Sequence, residues 1–154
     1  LSTDLPFPQT QMNQIILAWV SDCLNNLGVL LFSQKKFVEA KELFNKSLQI
    51  DYEIGYVLGE SYSLGNLGTV EEELGDIVKA ENLYHQSLDI SRKLNDIIGQ
   101  ANSLCFLGDL KSRTNSEQSI IEAKSYLAEG LELTKKSGDI SREEKINKVL
   151  NQLQ

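Results

Sequence analysis

The sequence predicts an all-α solenoid of three helix-turn-helix repeats with a C-terminal capping helix, and three observations carry that prediction. An Asn-Leu-Gly triplet or its equivalent ends at Gly28, Gly68 and Gly108, and 68 − 28 and 108 − 68 are both 40. An alanine follows each glycine at a fixed offset, as Ala40, Ala80 and, after three inserted residues, Ala123. Behind each alanine runs one helical pattern: Leu43-Phe44-Ser47-Leu48, Leu83-Tyr84-Ser87-Leu88 and Tyr126-Leu127-Gly130-Leu131. Self-similarity at such a period is the sequence signature of a stacked-repeat architecture.

The elements follow in order. Residues 1–9 carry Pro6 and Pro8 without periodicity and read as an extended lead-in. Residues 10–154 read as a single domain, with repeats at about 21–60, 61–100 and 101–139. From Thr10 the apolar positions Met12, Ile15, Trp19, Cys23, Leu24, Leu27 and Leu31 recur every three or four residues, predicting one long helix to Ser33. Trp19 is expected to pack at the N-terminal end or to meet a preceding element. Apolar spacing continues past Gly68 and Gly108, so these glycines lie inside helices, where each costs about 1 kcal/mol relative to alanine. The expected compensation is close approach of the second helix of each hairpin, with Ala40, Ala80 and Ala123 facing the glycines.

Breaks are predicted at Gln34-Lys35-Lys36, Gly75-Asp76 and 114–118 within repeats, and near Gly55, Asn95-Asp96 and 137–139 between them. Gly75 has the character of a residue just past a helix end, and Asp76 and Ser116 that of N-caps. Second helices are placed at 37–53, 76–94 and 118–136. The last segment, about 140–153, sets Ile146, Val149, Leu150 and Leu153 on one face and charges on the others, as a cap for an exposed last repeat requires.

Composition narrows the function classes. The 154 residues are 41% hydrophobic and 24% charged, the balance of an ordinary globular domain. A formal net charge of −7 argues against nucleic acid, whose binding relies on clustered Lys and Arg, and against anionic membrane surfaces. The apolar run 15–20 is far shorter than the ~20 residues that span a bilayer. The chain therefore reads as soluble and intracellular, with the cytoplasm as its expected location. Cys23 and Cys105 sit two repeats apart, beyond disulfide reach, and read as reduced thiols. A chain beginning at Leu1 reads as a fragment or a cleavage product.

The register resembles the tetratricopeptide repeat in its longer variety of about 40 residues per unit. The family pattern of large, Leu, Gly and later Ala, aromatic and small falls on Leu24, Leu27, Gly28, Ala40, Phe44 and Ser47. It falls again on Leu64, Leu67, Gly68, Ala80, Tyr84 and Ser87, and in the third unit on Leu104, Leu107, Gly108, Ala123, Leu127 and Gly130. The aromatic usual three residues after the glycine is replaced by Leu31, Glu71 and Lys111.

The resemblance implies a right-handed superhelix whose first helices line a concave groove for an extended or helical segment of another protein. Carried over by position, the groove residues are Asp22, Asn25, Asn26, Val29, Phe32 and Ser33 in the first unit. The second unit supplies Tyr62, Gly65, Asn66, Thr69, Glu72 and Glu73, and the third Asn102, Cys105, Phe106, Asp109, Ser112 and Arg113. Asn26 and Asn66 match the motif asparagine that bonds a peptide backbone, for which an amide is suited because it donates and accepts at once. With Arg113 the only cation among these positions, against Asp22, Glu72, Glu73 and Asp109, a neutral or basic partner fits best and a clamp for a C-terminal carboxylate does not.

Plainer readings stand beside these. Asn26 and Asn66 can be solvated helix residues, Glu71-Glu72-Glu73 a solvated face, and Tyr62 and Phe106 either groove anchors or packing between units. His85 is expected to face solvent, and no Cys or carboxylate cluster with ligand spacing accompanies it as a metal site. No phosphate loop, nucleophile elbow or HExxH motif points to an enzyme, and no cofactor is implied. The expected role is a non-catalytic protein-binding module, a scaffold or adaptor. The alternatives are the sensor or regulatory arm of a larger signalling protein and a self-associating solenoid.

Overall fold

The computed structural model describes residues 9–114 and 116–153, and these form seven helices. They are α1 (Gln9–Ser33), α2 (Phe37–Ile54), α3 (Val57–Glu73), α4 (Ile77–Leu94), α5 (Ile97–Ser112), α6 (Glu117–Ser137) and α7 (Ile140–Gln152). Among the described residues there is no strand. Helices α1–α2, α3–α4 and α5–α6 pair as hairpins, and each hairpin packs on the next, giving an all-α repeat solenoid. Of the lead-in expected over residues 1–9, residues 1–8 lie outside the described residues, and Gln9 already belongs to α1.

Helix ends follow local chemistry. Asp76, Ser116 and Asp139 accept hydrogen bonds from the backbone N–H three residues ahead, and Asp96 from Ile98. Such caps satisfy donors that a helix N-terminus leaves unpaired. Gly75 turns the chain at φ 90°, a left-handed conformation that glycine adopts without penalty. Asn95 does the same at φ 55°, a region that asparagine tolerates better than most side chains.

The core is a series of repeat-related clusters. Ala40 and Phe44 of α2 pack with Leu67 and Val70 of α3, and Ala80, Tyr84 and Leu88 of α4 with Leu104, Leu107 and Leu110 of α5. The repeated glycines admit the second helices as expected, and the nearest atoms are those of a large side chain rather than of the alanine side chains. A Cβ on Gly28 would meet the Phe44 ring, on Gly68 the Tyr84 ring, and on Gly108 the Leu127 side chain, each at 2.5 Å. The large residue four positions after each alanine lies over the glycine, so the missing Cβ makes room for a ring or a branched chain.

Buried hydroxyls form a second repeated layer. Ser21 bonds Ser47 at 2.7 Å, and its counterpart Ser61 bonds Ser87 at 3.3 Å. Ser21 also donates to Asp51, as Ser61 meets Ser91 at 2.7 Å. In the third unit Ala101 replaces that serine, and the Thr134 hydroxyl, which stands where Asp51 and Ser91 stand, is buried without a partner among the described residues. Burial pushes the Asp51 carboxyl above its ordinary range, against the opposing hydrogen bonds from Ser21 and Ser63.

Several expectations need correction. Glu71 is not part of a solvated face; it is buried, with Lys41 at 2.9 Å and Lys79 at 2.7 Å. Trp19 is 67% exposed and is not buried by the N-terminal part of α1. His85 is half-buried, edge-on to Tyr126 with ring centroids 6.0 Å apart. Helix α1 as a whole is long and apolar enough to cross a membrane by length and composition, although the run 15–20 alone is short. Ser21 and Asn25 nevertheless tie its second half to α2 and α3 through buried hydrogen bonds, which a spanning helix would have to give up.

Candidate binding groove

The first helices α1, α3, α5 and α7 lie side by side and build one face of the solenoid. Polar contacts between neighbours set its surface. The Asn66 side-chain amide donates to the Asn25 side-chain oxygen at 3.1 Å, and the Tyr62 hydroxyl to Asp96 at 3.2 Å. Arg113 on α5 pairs with Glu72 on α3 and with Asp109 one turn before it. Glu72 also accepts the Tyr84 hydroxyl at 2.8 Å. Burial first, then the neighbouring Asp96 carboxylate, pushes the Tyr62 hydroxyl above its ordinary range.

Two hollows open on this face. The smaller, of about 110 Å³, gathers Tyr62, Gly65, Asn66, Asn102 and Phe106 between α3 and α5. The larger, of about 660 Å³, lies between α5 and α7. Its floor is apolar, from Phe106, Leu127, Ile146 and Val149, and its rims carry Asn102, Cys105 and Asp109 on one side and Arg142, Lys145 and Lys148 on the other. Phe106 is held by stacking on Tyr84, with centroids 5.0 Å apart. Burial pushes the Cys105 thiol up to about 11, so it remains protonated at neutral pH.

The groove residues expected by position divide into those the structure brings together and those it does not. Tyr62, Asn66, Asn102, Phe106 and Asp109 line the two hollows. Asp22, Asn26, Val29 and Glu73 are exposed but line neither hollow. Asn25 is buried, and its amide donates to Ser47 and Ser63 at 2.6 and 2.8 Å, so it holds two units together rather than facing a ligand. Thr69 returns its hydroxyl to the Asn66 carbonyl at 2.7 Å. Gly65 is buried at the floor of the smaller hollow.

The part missed in the sequence is α7. Its cleft residues Lys145, Lys148, Val149 and Gln152 each lie 43 positions after Asn102, Cys105, Phe106 and Asp109. Helix α7 thus stands in the register of a first helix, and presents to the cleft the positions that α5 presents from the other side. The signal was readable: Asp139-Ile140 repeats Asp96-Ile97 at the same offset, and both aspartates are N-caps.

Residues 21–51 match a family model described as tetratricopeptide repeat, and residues 61–97 match a second model of the same description. These two stretches of the chain are tetratricopeptide repeats. A search of curated proteins gives no match. The two matched stretches are the first two units of the 40-residue register. The α5–α6 hairpin continues the hairpin-on-hairpin packing beyond them, and α7 packs on its end as a single helix. Tetratricopeptide repeats generally mediate protein–protein interaction and typically carry no chemistry of their own. Among the described residues no group of His, Cys, Asp and Glu is placed to hold a metal ion.

Proposed function

We propose that the face built by α1, α3, α5 and α7 holds a segment of another protein, anchored in the cleft between α5 and α7. The observation that carries this reading is the cleft itself, open, floored by Phe106, Ile146 and Val149, and rimmed by polar groups. A concave apolar pocket with a few convergent polar groups is the usual form of a recognition site. An apolar side chain of the partner fills the floor, and an aromatic such as Phe106 is the residue type on which interface energy concentrates.

Charge orients the segment. Arg113 offsets Glu72 and Asp109, leaving Asp22 and Glu73 as the exposed acids toward α1 and α3. Lys145 and Lys148 have no carboxylate partner among the described residues. A neutral or basic stretch suits the α1–α3 end, and a carboxylate beside the anchoring side chain suits the α7 end. Opposed charges at the two ends favour one direction of binding over its reverse.

A displayed random-peptide library selected on the chain tests this reading. Enriched peptides should share an apolar residue next to an acidic one and bind the Lys145→Glu, Lys148→Glu variant at least ~10-fold more weakly, a loss of about 1.4 kcal/mol. Enrichment of peptides that bind this variant equally well would remove the cleft from the account.

A further inference from the structure

We infer that the uncovered face of α1 is a homodimer interface, on which α1 of a second copy packs antiparallel about a two-fold axis at Cys23.

The repeat itself defines the face. Cys23, Leu27 and Leu30 on α1 correspond, at 40-residue steps, to Ser63, Leu67 and Val70 on α3 and to Ser103, Leu107 and Leu110 on α5. On α3 and α5 these positions are buried beneath α2 and α4. Leu67 is 4% exposed and Leu107 0%, whereas Leu27 is 47% exposed because no helix among the described residues covers it. One turn after another, Ile16, Trp19 and Val20 extend the same stripe toward the N-terminus, all exposed. A contiguous apolar patch of this length marks an interaction site on a protein surface.

Three features select a second copy as the occupant. The stripe is self-complementary: Ile16 and Leu30 lie seven residues either side of Cys23, and Val20 and Leu27 lie three and four residues away. Antiparallel α1 helices crossing at Cys23 therefore set Ile16 against the partner's Leu30, as an isologous interface requires. The helix also carries one charged residue, Asp22, in 25, so two chains of net charge −7 meet there with the least repulsion. The opposite end of the solenoid does not fit the stripe. On α7 the residues 43 positions after Ala101, Leu104 and Gly108 are Glu144, Asn147 and Asn151, polar and exposed, so head-to-tail stacking would bury them against Leu27 and Leu30. The stripe shares no residue with the two hollows of the groove. Two copies joined this way carry two grooves.

Sedimentation of the whole chain over a wide concentration range tests it, together with the Leu27→Glu, Leu30→Glu variant, its helicity checked by circular dichroism. The expected result is a concentration-dependent rise from 17.3 kDa to twice that mass, absent in a folded variant. In a Cys105→Ser background, a short bismaleimide should link Cys23 to Cys23 of the partner copy, with the yield at least ~10-fold lower when both leucines are changed. A single mass of 17.3 kDa at every concentration, a dimer that survives the double change, or assemblies that grow past two copies would each overturn the inference. So would a monomer that binds neutral lipid vesicles through the same leucines, since the occupant would then be a bilayer.

Discussion

Glu71 and Lys111 occupy the same position of successive repeats and stand at the centre of two ion-pair triads of opposite sign. Glu71 on α3 lies between Lys41 of α2 and Lys79 of α4, at 2.9 and 2.7 Å. Lys111 on α5 lies between Glu81 of α4 and Glu122 of α6, at 2.6 and 3.2 Å. Each outer partner is the repeat counterpart of the other triad's: Glu81 follows Lys41 by 40 residues, and Glu122 follows Lys79 by 43. Three consecutive helices are joined at each junction, and the sign of every charge is inverted from one to the next. The position three after the glycine, an aromatic in the family pattern, has thus become the centre of a charge lock. Its first-unit counterpart Leu31 packs into the core cluster instead.

Reversing one charge should break a lock, and reversing all three should restore it. Glu71→Lys places a third cation beside Lys41 and Lys79 in a buried site, where loss of a partner costs about 3–5 kcal/mol. The triple variant Glu71→Lys, Lys41→Glu, Lys79→Glu reproduces the arrangement around Lys111 and should recover most of that loss in denaturant unfolding. A triple variant no more stable than the single one would show that the triads are incidental.

The first triad also sets an acid limit. Burial alone would raise the Glu71 carboxyl, but hydrogen bonds from Lys79 and Lys41 outweigh it and hold the group below its ordinary value of 4.5. A carboxyl depressed on folding contributes stability that is fully present above its unfolded value and is lost as pH falls through the folded one. Thermal melts of the wild-type chain should therefore decline below about pH 4.5 more steeply than those of Glu71→Gln, with the two curves converging in acid. Parallel curves would contradict this assignment.

Gly68→Ala should destabilise despite the better helix propensity of alanine. Its Cβ would stand 2.5 Å from Cε1 and 2.6 Å from Cδ1 of the fully buried Tyr84. Overpacking of this kind costs about 1–3 kcal/mol, against about 1 kcal/mol gained from propensity. Equilibrium unfolding should give a net loss, and a gain in stability would mean that the ring moves aside freely.

Ala101→Ser should stabilise the chain. It returns to the third unit the hydroxyl that Ser21 and Ser61 supply in the others, opposite the unpartnered Thr134 Oγ1. A buried hydrogen bond contributes about 0.5–1.5 kcal/mol, and the same melts would detect it. An unchanged or lower stability would show that the new hydroxyl does not reach Thr134.

The helices were legible because each hairpin repeats one apolar pattern, and caps such as Asp76, Ser116 and Gly75 mark where the pattern stops. Side-chain partnerships between repeats were less legible. Asn25 reads as a ligand-facing amide by position, yet Ser47 and Ser63 surround it once the second repeat packs on the first. Glu71 reads as one of three solvated glutamates, and only the approach of Lys41 from the preceding hairpin makes it buried structure. The cleft was half visible: Asn102, Phe106 and Asp109 follow from the register, whereas Lys145 and Val149 required extending that register across the three-residue insertion into α7.

A backbone amide NMR titration of the chain with a peptide selected from the displayed library locates the working surface residue by residue. Shifts should concentrate on Asn102, Phe106, Arg142, Lys145 and Val149 and spare the outward-facing residues of α2, α4 and α6. Shifts confined to those second helices would mean that the α5–α7 cleft is not the working surface of this protein.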